Sequence, residues 1–210
     1  MLRQPLLTGF AWLMLALMVH GLVLLALDDR TWRDVAVWAK PLKFMASTAL
    51  FSATTAWFVG LLPEPLRRTR TVRAVAWTVV LTSSFEVGYI SLQAALGEGS
   101  HHNVRDPLHA ALFALMAAAA VMLTATQAVL AWLIARHGST RHTVLTQAVV
   151  VGLVMTFLLA TVSGFVLGGQ QPPAGVGLQQ GRLPHAARWL TAVALGCGLL
   201  WALLLVRALP

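Results

Sequence analysis

A glutamate stands near the middle of an apolar run, at Val79-Val80-Leu81-Thr82-Ser83-Ser84-Phe85-Glu86-Val87-Gly88-Tyr89-Ile90. A bare carboxylate at the centre of a bilayer costs at least about 2.5 to 3.5 kcal/mol, so an acid there needs a reason. Thr82, Glu86, Tyr89 and Gln93 follow one another at spacings of four, three and four, which places them on one helix face as a polar stripe directed into a bundle. Glu86, Tyr89 and Gln93 are the candidate catalytic groups. In the functional reading Glu86 carries a proton, binds a ligand or orients a substrate; in the structural reading it is a protonated acid satisfied by a neighbouring helix.

Histidines give a second signal. His101 and His102 lie in Ser100-His101-His102-Asn103, His109 opens an apolar run and His185 precedes another, and all four fall on one side of the chain's apolar segments. His20 lies within about 10 Å of helix rise of the same side. Neutral imidazole is the commonest metal ligand, so His20, His101, His109 and His185 are candidate ligands for a transition metal such as zinc, iron or copper. They come from separate segments and lack HxxxH or HExxH spacing. His20 with His109 is the pair that would bind haem axially between helices. The alternative is that the loop histidines cap helices and meet lipid headgroups, as His137 and His142 do on the opposite side.

Trp38-Ala39-Lys40-Pro41-Leu42-Lys43-Phe44 lies on the histidine side and holds the only two lysines beside thirteen arginines. Snorkelling and aromatic anchoring explain such a segment at a helix start. Lys40 and Lys43, with Asn103, are also candidates to bind an anionic headgroup or a carboxylate substrate. Asp28, Asp29 and Asp106 read as helix-end and turn residues.

These groups must be positioned by helices in lipid. Hydrophobic residues make up 58% of the 210 and charged ones 10%, which excludes an ordinary soluble domain. The formal charge of +8 resides in short segments between apolar runs, where topology and anionic lipid account for it and nucleic acid does not. The single cysteine, Cys197, allows no intrachain disulfide. Apolar runs at about 6–27, 42–62, 72–96, 108–135, 144–167 and 187–205 predict an all-α integral membrane bundle of about six transmembrane helices in one domain. The first run is longer than a signal-peptide core and is read as retained. Ala148, Gly152, Thr156, Ala160, Gly164 and Gly168 recur every four residues along the fifth and predict a close-packing face. Lys and Arg nearly tie between the two sides, and four arginines between Arg67 and Arg73 place that loop and both termini in the cytoplasm, for a protein of the cell inner membrane.

Lys40-Pro41-x-Lys43-Phe44, Glu86 with Gln93, Ser100-His101-x-Asn103 and Leu183-Pro184-His185 together resemble a group of small multi-pass bacterial membrane proteins carried as uncharacterised. The resemblance covers most of the chain and implies that these positions form one site; it brings no activity, fold or cofactor. The chain departs from it at His102, where an aromatic residue is expected.

Three readings stand. The first is a membrane enzyme or redox protein whose Glu/His site opens to the non-cytoplasmic leaflet, with a metal or haem on the histidines and Glu86 handling protons. The second is a proton-linked transporter of a small molecule, in which Glu86, Tyr89 and Gln93 line a path. The third is an accessory subunit of a larger membrane complex or a homo-oligomer. Five of seven histidines on one side favour the first. Nucleophile elbows, phosphate-binding glycine loops and paired cysteines are absent.

Overall fold

The computed structural model of the chain describes residues 4–32, 34–101, 103, 106–138 and 143–168. The elements run α1 (Pro5–Leu27), β1 (Thr31–Trp32), β2 (Val35–Ala36), α2 (Ala39–Val59), α3 (Glu64–Arg67), α4 (Arg70–Leu96), α5 (Pro107–His137) and α6 (Thr143–Gly168). The five long helices lie where five of the six apolar runs predicted them. The sixth, at about 187–205, lies outside the described residues.

Local chemistry sets their ends. Pro5 occupies the first turn of α1, where its missing N–H costs nothing, and the Gln4 side chain accepts from Leu6 N at 3.2 Å. Thr69 caps α4, and Gly97 ends it in the left-handed region at φ 71°, with Glu98 N donating to Gln93 O at 2.8 Å. Asp106 caps α5 by accepting from His109 N at 2.9 Å, ahead of Pro107. An antiparallel hairpin that no sequence pattern announced pairs Thr31 with Ala36 and Trp32 with Val35.

The chain divides into two compact units. Unit 1 comprises Met1–Gly60 and Arg67–Leu123; unit 2 comprises Leu61–Leu66 and Thr124–Pro210. Inside unit 1, α1 runs along α2, and α4 packs on both. Phe10 and Met14 of α1 meet Met45 and Ala49 of α2 and Val87 of α4. Farther along, Leu7, Ala56, Ala76 and Val79 make a second cluster, so α2 and α4 run antiparallel. A third joins Tyr89 and Ile90 of α4 to Met116 of α5, with Phe44 of α2 against them. Within unit 2, Leu130 and Ile134 of α5 and Val149 of α6 are fully buried, and the Arg136 guanidinium lies 5.5 Å from the Trp132 ring.

Four helices are long and apolar enough to cross a membrane: α1, α4, α5 and Thr143–Gly164 of α6. Their outward faces carry Trp12, Trp77, Leu81, Leu115 and Val151, which hydrocarbon accommodates and water does not. This is an all-α transmembrane protein with four such spans among the described residues. The run predicted at 42–62 does form a helix, but α2 carries Lys40, Lys43, Ser47, Thr48, Ser52, Thr54 and Thr55 and is too polar to count as a span by itself. Thr48, Ser52 and Thr55 are buried. Along α6, Ala148 is buried while Thr156 and Gly164 are exposed, so the small-residue stripe is only partly covered among the described residues.

Gly21 marks the tightest approach of α1 to α2. A β-carbon there would stand 2.9 Å from Leu42 Cδ2 and 3.4 Å from Leu42 Cγ. Gly21→Ala should be nearly neutral in thermal unfolding of the detergent-solubilised protein, because a flexible side-chain end yields and helix propensity improves by about 1 kcal/mol. Gly21→Leu should overpack the interface and cost about 1 to 3 kcal/mol, read as a lowered unfolding midpoint.

Candidate functional site

One end of unit 1 gathers the C-terminus of α1, the hairpin, the start of α2, the end of α4 and the start of α5. Asp28, just past α1, organises the first part of it. Its carboxylate accepts from Arg30 Nη2 at 2.7 Å, from Arg30 Nε at 2.9 Å and from Trp38 Nε1 at 2.8 Å. Those hydrogen bonds, Arg30's first and Trp38's next, hold the Asp28 carboxyl well below the usual carboxylate range. Arg30 Nη1 also donates to Ala95 O at 3.0 Å, which ties the hairpin to the last turn of α4.

Beside this anchor, Lys40 Nζ donates to Ser100 Oγ at 2.6 Å and meets His101 Nδ1 at 2.9 Å. Ser100 Oγ lies 3.2 Å from the same nitrogen. An ammonium has only protons to offer, so Nδ1 is the accepting nitrogen and the imidazole is neutral, with its proton on Nε2. The His101 ring lies against Phe44, with centroids 6.2 Å apart, and against Phe113 at 6.4 Å. Burial pushes the Lys40 ammonium down to about 8. Among the described residues no carboxylate comes within ion-pair range of it. Lys43, one turn along α2, is exposed, and Asn103 is half-buried in the loop after His101.

His109 is occupied on both sides. Its Nδ1 lies 2.7 Å from Asp106 Oδ2 and its Nε2 3.3 Å from Glu98 Oε2. The same Asp106 thus caps α5 and orients the first imidazole on it.

The stripe on α4 leads inward from this end. Tyr89 and Gln93 are buried, and Gln93 Nε2 donates to the Tyr89 hydroxyl at 3.0 Å. The Tyr89 ring is nearly parallel to Phe85, with centroids 6.3 Å apart. Gln93 is 2% exposed, and its Oε1 has no hydrogen-bond partner among the described residues. Exchanging the amide's O and N would leave the other atom in the same state. Glu86 is half-buried one turn deeper. Thr82, deeper still, spends its hydroxyl on Thr78 O at 2.7 Å.

Sequence reasoning placed Lys40, His101, His109 and the α4 stripe at or beneath one end, and the structure brings Lys40 and His101 into direct contact. It missed Ser100 as the acceptor for Lys40 and the aromatic walls Phe44 and Phe113; it noted Ser52, Thr54 and Thr55 of α2 at the depth of Glu86 but gave them no discriminating weight. Thr48, Ser52 and Thr55 recur at four and three, a polar stripe as regular as that of α4, but helices accommodate Ser and Thr so readily that the pattern carried no weight.

The metal expectation finds no support among the described residues. Among the described residues no group of three or more His, Cys, Asp or Glu is arranged to hold a metal ion. The nitrogen of His101 that would ligate faces an ammonium, which repels a metal cation, and both ring nitrogens of His109 face carboxylates. His20 is exposed on α1, and His185 lies outside the described residues. Compared with known proteins, the chain matches no family model, no curated protein and no solved structure.

Asp106→Ala should remove the cap of α5 and cost about 1 kcal/mol, seen as a lower unfolding midpoint. Asp106→Asn retains an accepting oxygen for His109 N and should recover most of the loss.

Proposed function

We propose that this chain is a six-span protein of the cell inner membrane that binds the anionic group of a small molecule or lipid at the Lys40 end of unit 1, as a transporter does. The observation that carries the reading is the state of Lys40. A half-buried ammonium held by two neutral partners, Ser100 and His101, is a charge without a counter-ion, and such a charge is costly unless an anion joins it. The neighbouring acids are engaged elsewhere: Asp28 with Arg30 and Trp38, Asp106 and Glu98 with His109. A carboxylate or phosphate oxygen at Lys40 would find the ammonium and the Ser100 hydroxyl as donors. The six-span topology rests on α2 crossing as the inner helix of the bundle and on the apolar run at about 187–205. The dense arginines from Arg67 to Arg73 support termini in the cytoplasm, which puts Lys40 on the opposite face. The metal-dependent enzyme reading has no ligand group among the described residues to support it.

The test is thermal unfolding of the detergent-purified protein against inorganic phosphate, short-chain carboxylates and phosphatidylglycerol. At about a hundred times its dissociation constant the right anion should raise the midpoint by about 5 °C or more, and Lys40→Met should abolish the shift. Stabilisation by phosphatidylglycerol alone assigns a headgroup, and stabilisation by a soluble anion assigns a small molecule. No shift for the wild type with any of them, or an equal shift in Lys40→Met, refutes the reading. Since only the protonated ammonium attracts the anion and it titrates near 8, affinity should be constant below that pH and fall about tenfold per unit above it. Lys40→Arg should bind without that pH dependence.

A further inference from the structure

The buried polar atoms of unit 1 that make no hydrogen bond among the described residues include Ser91 Oγ and a pair on facing helices. One of the pair is Gln93 Oε1 on α4. The other is Ser52 Oγ on α2, whose residue is 0% exposed. An isolated buried hydroxyl or amide costs about 1 to 3 kcal/mol, and in folded proteins such groups are satisfied by ordered water far more often than they are left bare.

Their surroundings place them on one seam. On α2, Phe44, Thr48, Ser52 and Thr55 follow at four, four and three, hence on one face. Phe44 packs in the cluster of Tyr89, Ile90 and Met116, so that face is turned to α4 and α5. On α4, Glu86, Tyr89 and Gln93 share a face at three and four. The two helices run antiparallel from the Lys40 end, so depth follows from 1.5 Å of rise per residue. Gln93 comes at about 5 Å, Tyr89 at about 10 Å, Thr48 at about 12 Å, Glu86 at about 15 Å and Ser52 at about 18 Å. No gap along this ladder exceeds about 6 Å, a distance that one or two waters bridge.

We infer that a file of water runs along this seam from the Lys40 end to Glu86 and Ser52 and carries protons to and from the Glu86 carboxyl. Gln93 and Ser52 hold waters at its two ends, and Tyr89 hydrogen-bonds midway. A proton leaves Glu86 for the adjacent water, each water passes one on, and a proton emerges at the Lys40 end; only O–H bonds break and form, and no redox partner is needed. The interior acid thereby gains a reason to exist, since an ionisable group inside a membrane that water reaches is a proton site. The file goes beyond anion binding at Lys40 and does not require it.

The test is radiolytic hydroxyl-radical labelling of the whole protein in detergent, joined to infrared spectroscopy. Tyr89 and Phe10 are about equally buried, but Phe10 sits in an all-apolar cluster. Tyr89 should label at least fivefold faster than Phe10, and Ser52→Val with Gln93→Leu should remove most of that excess. The carboxyl band that Glu86→Gln deletes, titrated into view by pH, should shift in D2O within seconds. Labelling of Tyr89 no faster than Phe10, or deuteration of Glu86 as slow as that of the α4 backbone amides, overturns the inference. Lys40→Met should abolish anion stabilisation and leave Tyr89 labelling in place, so failure of one proposal is distinguishable from failure of the other.

Discussion

In a chain this apolar, polar side chains persist only where protein surrounds them, and α2 is the element on which that constraint falls hardest. It carries both lysines and the hydroxyls of Ser47, Thr48, Ser52, Thr54 and Thr55, and its length would let it cross a bilayer while its composition would not favour it in lipid. Neighbours cover the face that carries most of the burial, and the opposite face stays open. α1 covers one side through Phe10 and Met14, helped by the close approach at Gly21; α4 covers another through Val79 and Val87; and Phe44 reaches the Tyr89 and Met116 cluster on a third. The outward residues of α1, α4 and α5 are apolar, and α2 also turns Leu50 and Trp57 outward while Thr48, Ser52 and Thr55 are buried.

The same constraint explains what was legible in the sequence. Apolar run length and abrupt stops fixed the five helices to within a few residues, because Asp28, Pro63 and Gly97 end them for local reasons that need no tertiary structure. Direction around each helix was less legible. α1 and α5 are apolar on nearly all sides, so periodicity cannot say which side meets protein and which meets lipid. Only α4 advertised its inner face, and there the spacing of Thr82, Glu86, Tyr89 and Gln93 was read correctly as a stripe, with Tyr89 and Gln93 buried. The equivalent stripe on α2 was hidden by the ordinariness of Ser and Thr.

The histidines show why composition on one side of a membrane is weaker evidence than geometry. Counting placed His20, His101 and His109 together, but a ligand set needs nitrogens aimed at one point. His20 is exposed, His101 is turned to an ammonium and His109 is held between two carboxylates. Those orientations depend on Asp106 and Glu98, at the start of α5 and the end of α4, and on the loop that brings Ser100 and His101 over Lys40. No spacing in the sequence encodes them.

Charge bookkeeping at this end of unit 1 then follows from short-range competition. Arg30 takes Asp28 in a contact of 2.7 Å and also donates to the α4 terminus, so one cation both neutralises that acid and anchors the hairpin. His109 occupies Asp106 and Glu98, and the cap that Asp106 provides keeps that acid where it is. Lys40 is left with a hydroxyl and a neutral imidazole, both good hydrogen-bond acceptors and neither a counter-charge. Partial burial makes the ammonium more costly than a surface lysine and at the same time makes any anion that reaches it more tightly held, since the attraction grows as the effective dielectric falls. The arrangement that leaves this cation without a counter-charge among the described residues is therefore the one on which the proposed docking of an anion rests.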